Sequence, residues 1–112
     1  MTKKRVRTDI LQGMLDMLIL KIVSSGPIHG YGIAQQLRSL SQERLLIPQG
    51  SLYPGLHRLE DRKMIRGQWK ATPSGRRAKY YELTTKGSRR LSEEVAGWQE
   101  LSNAVSMVLD IT

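Results

Sequence analysis

Apolar residues recur at helical spacing early in the chain, and their first run is the densest. Apolar side chains cover more than one face of this predicted helix, so we expect it to lie at the centre of the core. Thr8 can cap its start, with Asp9 in the first turn, and Gly26 with Pro27 predicts its end. Its apolar positions are Leu11, Met14, Leu15, Leu18, Ile19, Leu20, Ile22 and Val23.

Two further helices are predicted after this segment. The first covers about residues 31–40, where the apolar residues sharing a face are Ile33, Leu37 and Leu40. The segment "SLSQERL" is expected to form a turn before the next helix, at about residues 48–63. The apolar positions of that helix are Leu52, Leu56 and Leu59.

The start of this third helix contains residues that weaken helices. Pro48 suits a first helical position, where its missing N–H is not needed, and Ser51 is an alternative cap. Both interpretations place Pro54 near the N-terminal end, where a lost hydrogen bond costs least. We interpret Gly50 and Gly55 as positions without side-chain bulk, which would let the backbone approach a partner closely.

After Ile65 the residues alternate with a period of two, and this pattern predicts a β-hairpin. The alternating residues are Ile65, Gly67 and Trp69 in one segment and Lys79, Tyr81 and Leu83 in the other. Between them, "KATPSGRRA" is rich in turn formers and basic residues, which predicts a basic tip. Of the two adjacent tyrosines, we expect Tyr81 in the core and Tyr80 more exposed.

A long helix is predicted to end the chain. Thr84 or Thr85 can cap it, and its apolar residues step by three or four. These residues are Leu91, Val95, Trp98, Leu101, Val105 and Val108 or Leu109. We therefore predict a mainly α chain with a small β-hairpin, divided into residues 1–84 and a C-terminal helix over residues 85–112.

Positive charge is concentrated in two places. The net charge is +8, with four positive and no negative residues in 1–7 and eight positive against two negative in 58–79. Such clustering is typical of nucleic-acid binding proteins. The alternatives are a generally basic surface and, for Lys3, Lys4, Arg5 and Arg7, a disordered tail without a role.

The composition argues against several other classes. The 112 residues include no cysteine and two histidines, so we expect neither disulfides nor a metal site, and we predict no cofactor. No apolar run is long enough to span a membrane, which favours a cytoplasmic protein. Ser51 and His57 are too far apart to pair on one helical turn, so we predict no catalytic residues and no enzyme.

Three helices followed by a hairpin form the layout of a winged helix-turn-helix, in which the third helix reads double-stranded DNA and the hairpin is the wing. The N-terminal end of that helix would face the bases and phosphates. The predicted contacts are Gln49, Gly50, Ser51, Tyr53, His57 and Arg58 on the helix, Arg76, Arg77 and Lys79 on the wing, and Lys4 and Arg5 in an N-terminal arm. We expect Tyr31 to be mostly structural.

The sequence resembles the PadR-type transcriptional regulators over about residues 10–100. The motifs that carry the resemblance are "LILKIVSSGPIHGYGIAQQL", "QGSLYPGLHRLEDRKMI" and "GRRAKYYELTTKG", in the family's order. The chain departs from the family at Gly55, where relatives carry a larger residue. It also departs at "RKM", residues 62–64, where the family has glycine before an apolar pair.

The resemblance implies a homodimeric repressor on an inverted-repeat operator, in the family's short form with one C-terminal dimerisation helix. The dimerising residues would be Leu91, Val95, Trp98, Leu101 and Val105. Trp98 has a second interpretation, since drug-sensing relatives stack flat aromatic effectors on a tryptophan of this helix. The alternative function is a winged-helix module that binds protein or RNA.

Overall fold

Four helices and three short strands follow one another in the computed structural model, which describes residues 12–111. The helices and strands are α1 (Gln12–Val23), β1 (Ile28–His29), α2 (Gly30–Leu40), α3 (Gln49–Asp61), β2 (Ile65–Ala71), β3 (Arg77–Leu83) and α4 (Thr85–Leu109). The predicted order of three helices, a hairpin and a long helix is confirmed. Thr8, Asp9 and Leu11 lie outside the described residues.

Helix α1 is the centre of the core, as its apolar pattern predicts, and it contacts α2, α3, α4 and β3. The buried apolar side chains are Leu15, Met17, Ile19, Leu20, Ile22, Val23, Ile33, Leu37, Leu52, Leu56, Leu59, Met64, Ile65 and Tyr81. The predicted face of α2 is wrong at Leu40, which is 71% exposed at the helix end, while Ile33 and Leu37 are buried. Helix α3 buries all three of its predicted leucines.

The start of α3 differs from both predicted alternatives. Pro48 is the N-cap residue, with φ −65° and ψ 150°, and it lies outside the helix. Ser51 is within the first turn and donates its backbone N–H to the Pro48 carbonyl. Pro54 is consequently the sixth residue of α3, and it leaves the Gly50 carbonyl without its usual i+4 donor.

The predicted hairpin is confirmed, and its two sets of alternating residues lie opposite each other. Ile65 lies opposite Leu83, Gly67 opposite Tyr81 and Trp69 opposite Lys79. Tyr81 is buried and Tyr80 half-buried, as expected. The sequence did not predict β1, a two-residue strand that pairs with Tyr80 and Tyr81 of β3.

Helix α4 begins against the turn between α3 and β2. Thr84 is its cap: the Thr84 hydroxyl accepts from the Gly87 N–H at 3.0 Å and donates to the Lys63 carbonyl at 2.6 Å. Gly87 is required there, because a methyl group at position 87 would collide with the Met64 carbonyl oxygen. The first half of α4 therefore stays close to α1, with Leu91 packed on the core.

Candidate nucleic-acid interface

The N-terminal end of α3 is open to solvent. Pro48 provides no side-chain cap, and no acidic residue lies in the first turn. The earliest α3 N–H groups with a partner among residues 12–111 are those of Ser51 and Leu52, which donate to the Pro48 carbonyl at 3.0 and 2.9 Å. The N–H groups of Gln49 and Gly50 are thus left for an incoming acceptor, at the positive end of the helix dipole.

The two glycines of α3 have different roles. Gly50 is exposed, and a methyl group there would meet nothing within 4 Å. Gly55 is buried, and a methyl group there would lie 3.2 Å from Ile19 Cδ1. The interpretation of Gly55 as a site of close approach to a partner is therefore wrong, because this glycine allows α3 to pack against α1.

Several predicted contact residues of α3 are accessible. Gln49, Tyr53 and His57 are exposed, and Ser51 is half-buried. The Tyr53 ring lies against the start of α2, where a methyl group at Gly30 would be 2.9 Å from its Cε1 atom. This packing orients Tyr53 at the junction of α2 and α3 while leaving 38% of it exposed.

Arg58 does not point outward as predicted. Its Nη2 atom donates to Asp16 Oδ1 of α1 at 2.8 Å, and its side chain is 26% exposed. Since charged side chains of this kind are rarely buried without a partner, Asp16 accounts for its direction. Arg58 therefore joins α3 to α1.

Lys79 is also held within the protein. Its Nζ atom donates to Glu60 Oε1 of α3 at 2.8 Å, and this hydrogen bond raises the pKa of Lys79 above its ordinary 10.5. Lys79 is therefore directed towards α3, and its predicted contact with DNA stays a prediction. The sequence separation of 19 residues gives no local signal for this ion pair.

The wing carries three accessible positive charges. Lys70, Arg76 and Arg77 are exposed, and within residues 12–111 none of the three has an ion-pair partner. The tip is closed by Gly75, whose φ of +89° favours glycine, and by the Thr72 N–H donating to the Arg76 carbonyl at 2.6 Å. Lys4 and Arg5 of the predicted arm lie outside the described residues.

An exposed aromatic groove lies between α3 and the wing. Tyr31, Tyr53, His57 and Trp69 line this cavity of about 400 Å³. Trp69 is 57% exposed and Tyr31 is 61% exposed, so the expectation of a mostly structural Tyr31 is not supported by its burial. Trp69 was missed as a site residue, although its place on the same strand face as Gly67 was a signal that it lies towards α3.

Helix α4 carries an uncovered apolar stripe. Leu91 is half-buried against the core and Val95 is half-buried, whereas Trp98, Leu101 and Val105 are 41%, 54% and 46% exposed. Trp98 also lines a groove of about 630 Å³ between α1 and α4, together with Met17, Leu18 and Lys21. The predicted dimerising residues are therefore continuous along one helix, partly on and partly beyond the core.

These features define a winged helix-turn-helix: α2 and α3 form the helix-turn-helix, and β2 and β3 form the wing. The model of the transcriptional regulator PadR-like family matches residues 19–93. The chain belongs to this family, whose members are DNA-binding transcriptional regulators and not enzymes.

Similar proteins support the same assignment. A PadR-like transcriptional regulator from Bacillus cereus is 32% identical with a TM-score of 0.80, over 94% of this chain and 100% of that one. A Streptococcus transcriptional regulator is 30% identical with a TM-score of 0.79, over 93% and 100%. An uncharacterised protein X of Lysinibacillus sphaericus is 30% identical over 94% of this chain and 96% of its own.

Residues 12–111 form no helix that is both long and apolar enough to cross a membrane.

Proposed function

We propose that this protein is a repressor that binds an inverted-repeat operator as a homodimer in the cytoplasm. The observation that carries the proposal is the uncapped α3 end on a helix that shares a groove with the wing, whose cations are exposed. Free N–H groups and exposed Gln49 can meet phosphates and base edges, while Arg76 and Arg77 can meet the flanking backbone. Repression follows if the bound protein excludes polymerase from a promoter.

The homodimer is supported by the stripe on α4. Large apolar side chains gathered on one exposed face indicate an interaction surface. Pairing of two α4 helices would present two α3 helices to successive major-groove faces, about 34 Å apart. Trp98 has two roles in this proposal: an anchor of the dimer, which is the simpler one, or a surface for a flat aromatic effector.

The test is fluorescence anisotropy with the protein's own upstream DNA and a scrambled duplex, titrated with salt. We expect two protomers per site and a preference of about a thousandfold or more for the native fragment. Equal, weak binding to both duplexes would instead favour the interaction module for protein or RNA, and a selection for bound genomic fragments would then have to exclude a distant operator.

Three variants separate the parts of the interface. Gln49→Ala should relax base preference at one position of each half-site, at about 1–3 kcal/mol, because Gln pairs with adenine. Arg77→Ala should weaken binding to every sequence and reduce the log–log salt slope by about 0.9 for each phosphate that Arg77 neutralises. Lys86→Ala is the matched control, since Lys86 is exposed at the start of α4, which lies against the C-terminal end of α3, and should leave both quantities unchanged.

A further inference from the structure

The ion pair between Lys79 and Glu60 joins the wing directly to α3. Lys79 belongs to β3 and Glu60 to the last turns of α3, and their charged atoms are 2.8 Å apart. Both side chains are partly buried, at 27% and 29% exposure. The pair is thus better shielded from water than the other ion pair of the hairpin, Arg66 with Glu82, whose side chains are 71% and 38% exposed.

The strand between the two partners is shaped to let them meet. Gly67 of β2 lies opposite Tyr81, and the Lys79 side chain crosses above it. A methyl group at position 67 would collide with Lys79 Cε and lie 2.9 Å from Glu60 Oε2. The missing side chain of Gly67 therefore opens the path along which Lys79 reaches α3.

A second contact holds Lys79 in this direction. Its Nζ atom lies 5.7 Å from the centroid of the Tyr81 ring, within the range of a cation–π interaction. Tyr81 is buried, so its ring is a fixed support. Lys79 is consequently directed inward by a carboxylate and a ring, away from the tip where Arg76 and Arg77 are exposed.

We propose that Glu60, Gly67 and Lys79 form a latch that sets the position of the wing relative to α3. The latch rests on the proposed function, because its effect on DNA is indirect: it aligns Arg76 and Arg77 with the phosphates beside the base-reading helix. Glu60 and Lys79 are positioning residues, and neither contacts DNA. Without the latch, the wing samples more orientations and binding must order it.

Two explanations predict opposite effects of Glu60→Gln on the affinity for DNA. Removing a negative charge near a polyanion should strengthen binding if electrostatics alone acts. The latch predicts weaker binding, by about fivefold, with an unchanged salt slope because the same phosphates are still neutralised. The matched control is Asp61→Asn: Asp61 is the next residue, exposed, and has no ion-pair partner within residues 12–111, so its variant should bind equally or more tightly.

Gly67→Ala tests the same latch without changing any charge. The added methyl group displaces Lys79 from Glu60, so we expect a loss of affinity similar to that of Glu60→Gln. A reversed pair, Glu60→Lys with Lys79→Glu, should recover binding relative to Lys79→Glu alone. Affinity equal to wild type in both Glu60→Gln and Gly67→Ala would overturn the latch, as would a salt slope reduced by about 0.9 in Lys79→Met, which would show that Lys79 neutralises a phosphate.

Hydrogen exchange measured without DNA separates this proposal from the proposed function. Glu60→Gln and Gly67→Ala should accelerate amide exchange in β2 and β3, while Asp61→Asn should not. Unchanged exchange in the first two variants would overturn the latch whatever the DNA result. Accelerated exchange in a protein that binds no operator would keep the latch and reject the repressor.

Discussion

At the scale of single residues, the two glycines of α3 separate binding from folding. Gly50→Ala should leave the free energy of unfolding unchanged or raise it slightly, because a methyl group there meets nothing and alanine favours helices. It should nevertheless weaken operator binding, since it adds bulk where the helix end would approach DNA. Gly55→Ala should lower stability by up to about 2 kcal/mol, because crowding the fully buried Ile19 costs about 1–3 kcal/mol and alanine regains only about 1 kcal/mol over glycine in a helix.

Urea denaturation and anisotropy on the same two variants provide the measurement. Each glycine serves as the control for the other, because both lie in α3 and receive the same methyl group. A Gly55→Ala protein as stable as wild type would contradict the packing role. Full operator affinity in Gly50→Ala would remove the argument for close approach at this end of the helix.

Lys63 occupies a backbone position that favours glycine. Its φ is +64°, and the Lys63 and Met64 N–H groups close α3 on the Glu60 and Leu59 carbonyls at 3.0 and 2.9 Å, which is a Schellman motif. The resemblance to PadR-type sequences implied a glycine at this place, so the departure changes the residue and keeps the turn.

Lys63→Gly should therefore raise the free energy of unfolding by about 0.5–1 kcal/mol. Relief of the left-handed conformation, about 1–2 kcal/mol, exceeds the added entropy of glycine in the unfolded chain. Urea denaturation measures the change, and Lys63→Ala is the control because it removes the charge without relieving the backbone. If both variants gained equally, the charge and not the backbone would be responsible.

At the scale of helices and strands, the sequence pattern predicted those elements that interactions between nearby residues determine. The alternation at Gly67, Trp69 and Tyr81 predicted the hairpin, because each strand needs one face towards the core. The β1 strand could not be found, since two residues are too few to show a period. The direction of Arg58 was wrong, because Asp16, which holds it, is 42 residues away in sequence. The ion pair of Lys79 with Glu60, 19 residues away, likewise gave no local signal.

Two residues of strand β3 make the free energy of unfolding depend on pH in the alkaline range. The hydrogen bond to Glu60 raises the pKa of Lys79 above 10.5, and burial raises the pKa of Tyr81 above its ordinary 10.0. Their contributions are fully present below about pH 10 and are lost as pH rises through the folded-state values, since the unfolded chain then binds fewer protons. We expect the free energy of unfolding to decline above about pH 10 and not between about pH 8 and 10.

Urea denaturation at a series of pH values checks this dependence. Tyr81→Phe removes one of the two groups, so its decline should be shallower than that of wild type. Tyr31→Phe is the control, because Tyr31 is largely exposed and should leave the profile unchanged. Parallel profiles for wild type and Tyr81→Phe would show that burial of this phenol does not link pH to folding.

At the scale of the whole molecule, most of the second half of α4 is exposed. The exposed large apolar residues on the predicted stripe there are Trp98, Leu101, Val105, Val108 and Leu109. The helical period showed this stripe in the sequence, but it could not show how much of it the core covers. The structure divides it: Leu91 packs on the core, and the stripe from Trp98 onward remains available to a second copy.

Val105→Glu should consequently dissociate the proposed dimer while leaving each chain folded. A symmetric interface loses Val105 twice, at about 1.5 kcal/mol or more each, so the dimer dissociation constant should rise about a hundredfold or more. Trp98→Ala should weaken the dimer in the same direction. Sedimentation velocity over a concentration series measures the change, and anisotropy should then show operator binding that depends more steeply on protein concentration.

Asn103→Glu is the matched control, because Asn103 is exposed and lies about 200° around the helix from Val105. If Val105→Glu and Asn103→Glu sedimented alike as dimers, α4 would not be the dimer interface, and the spacing of the two α3 helices would need another origin.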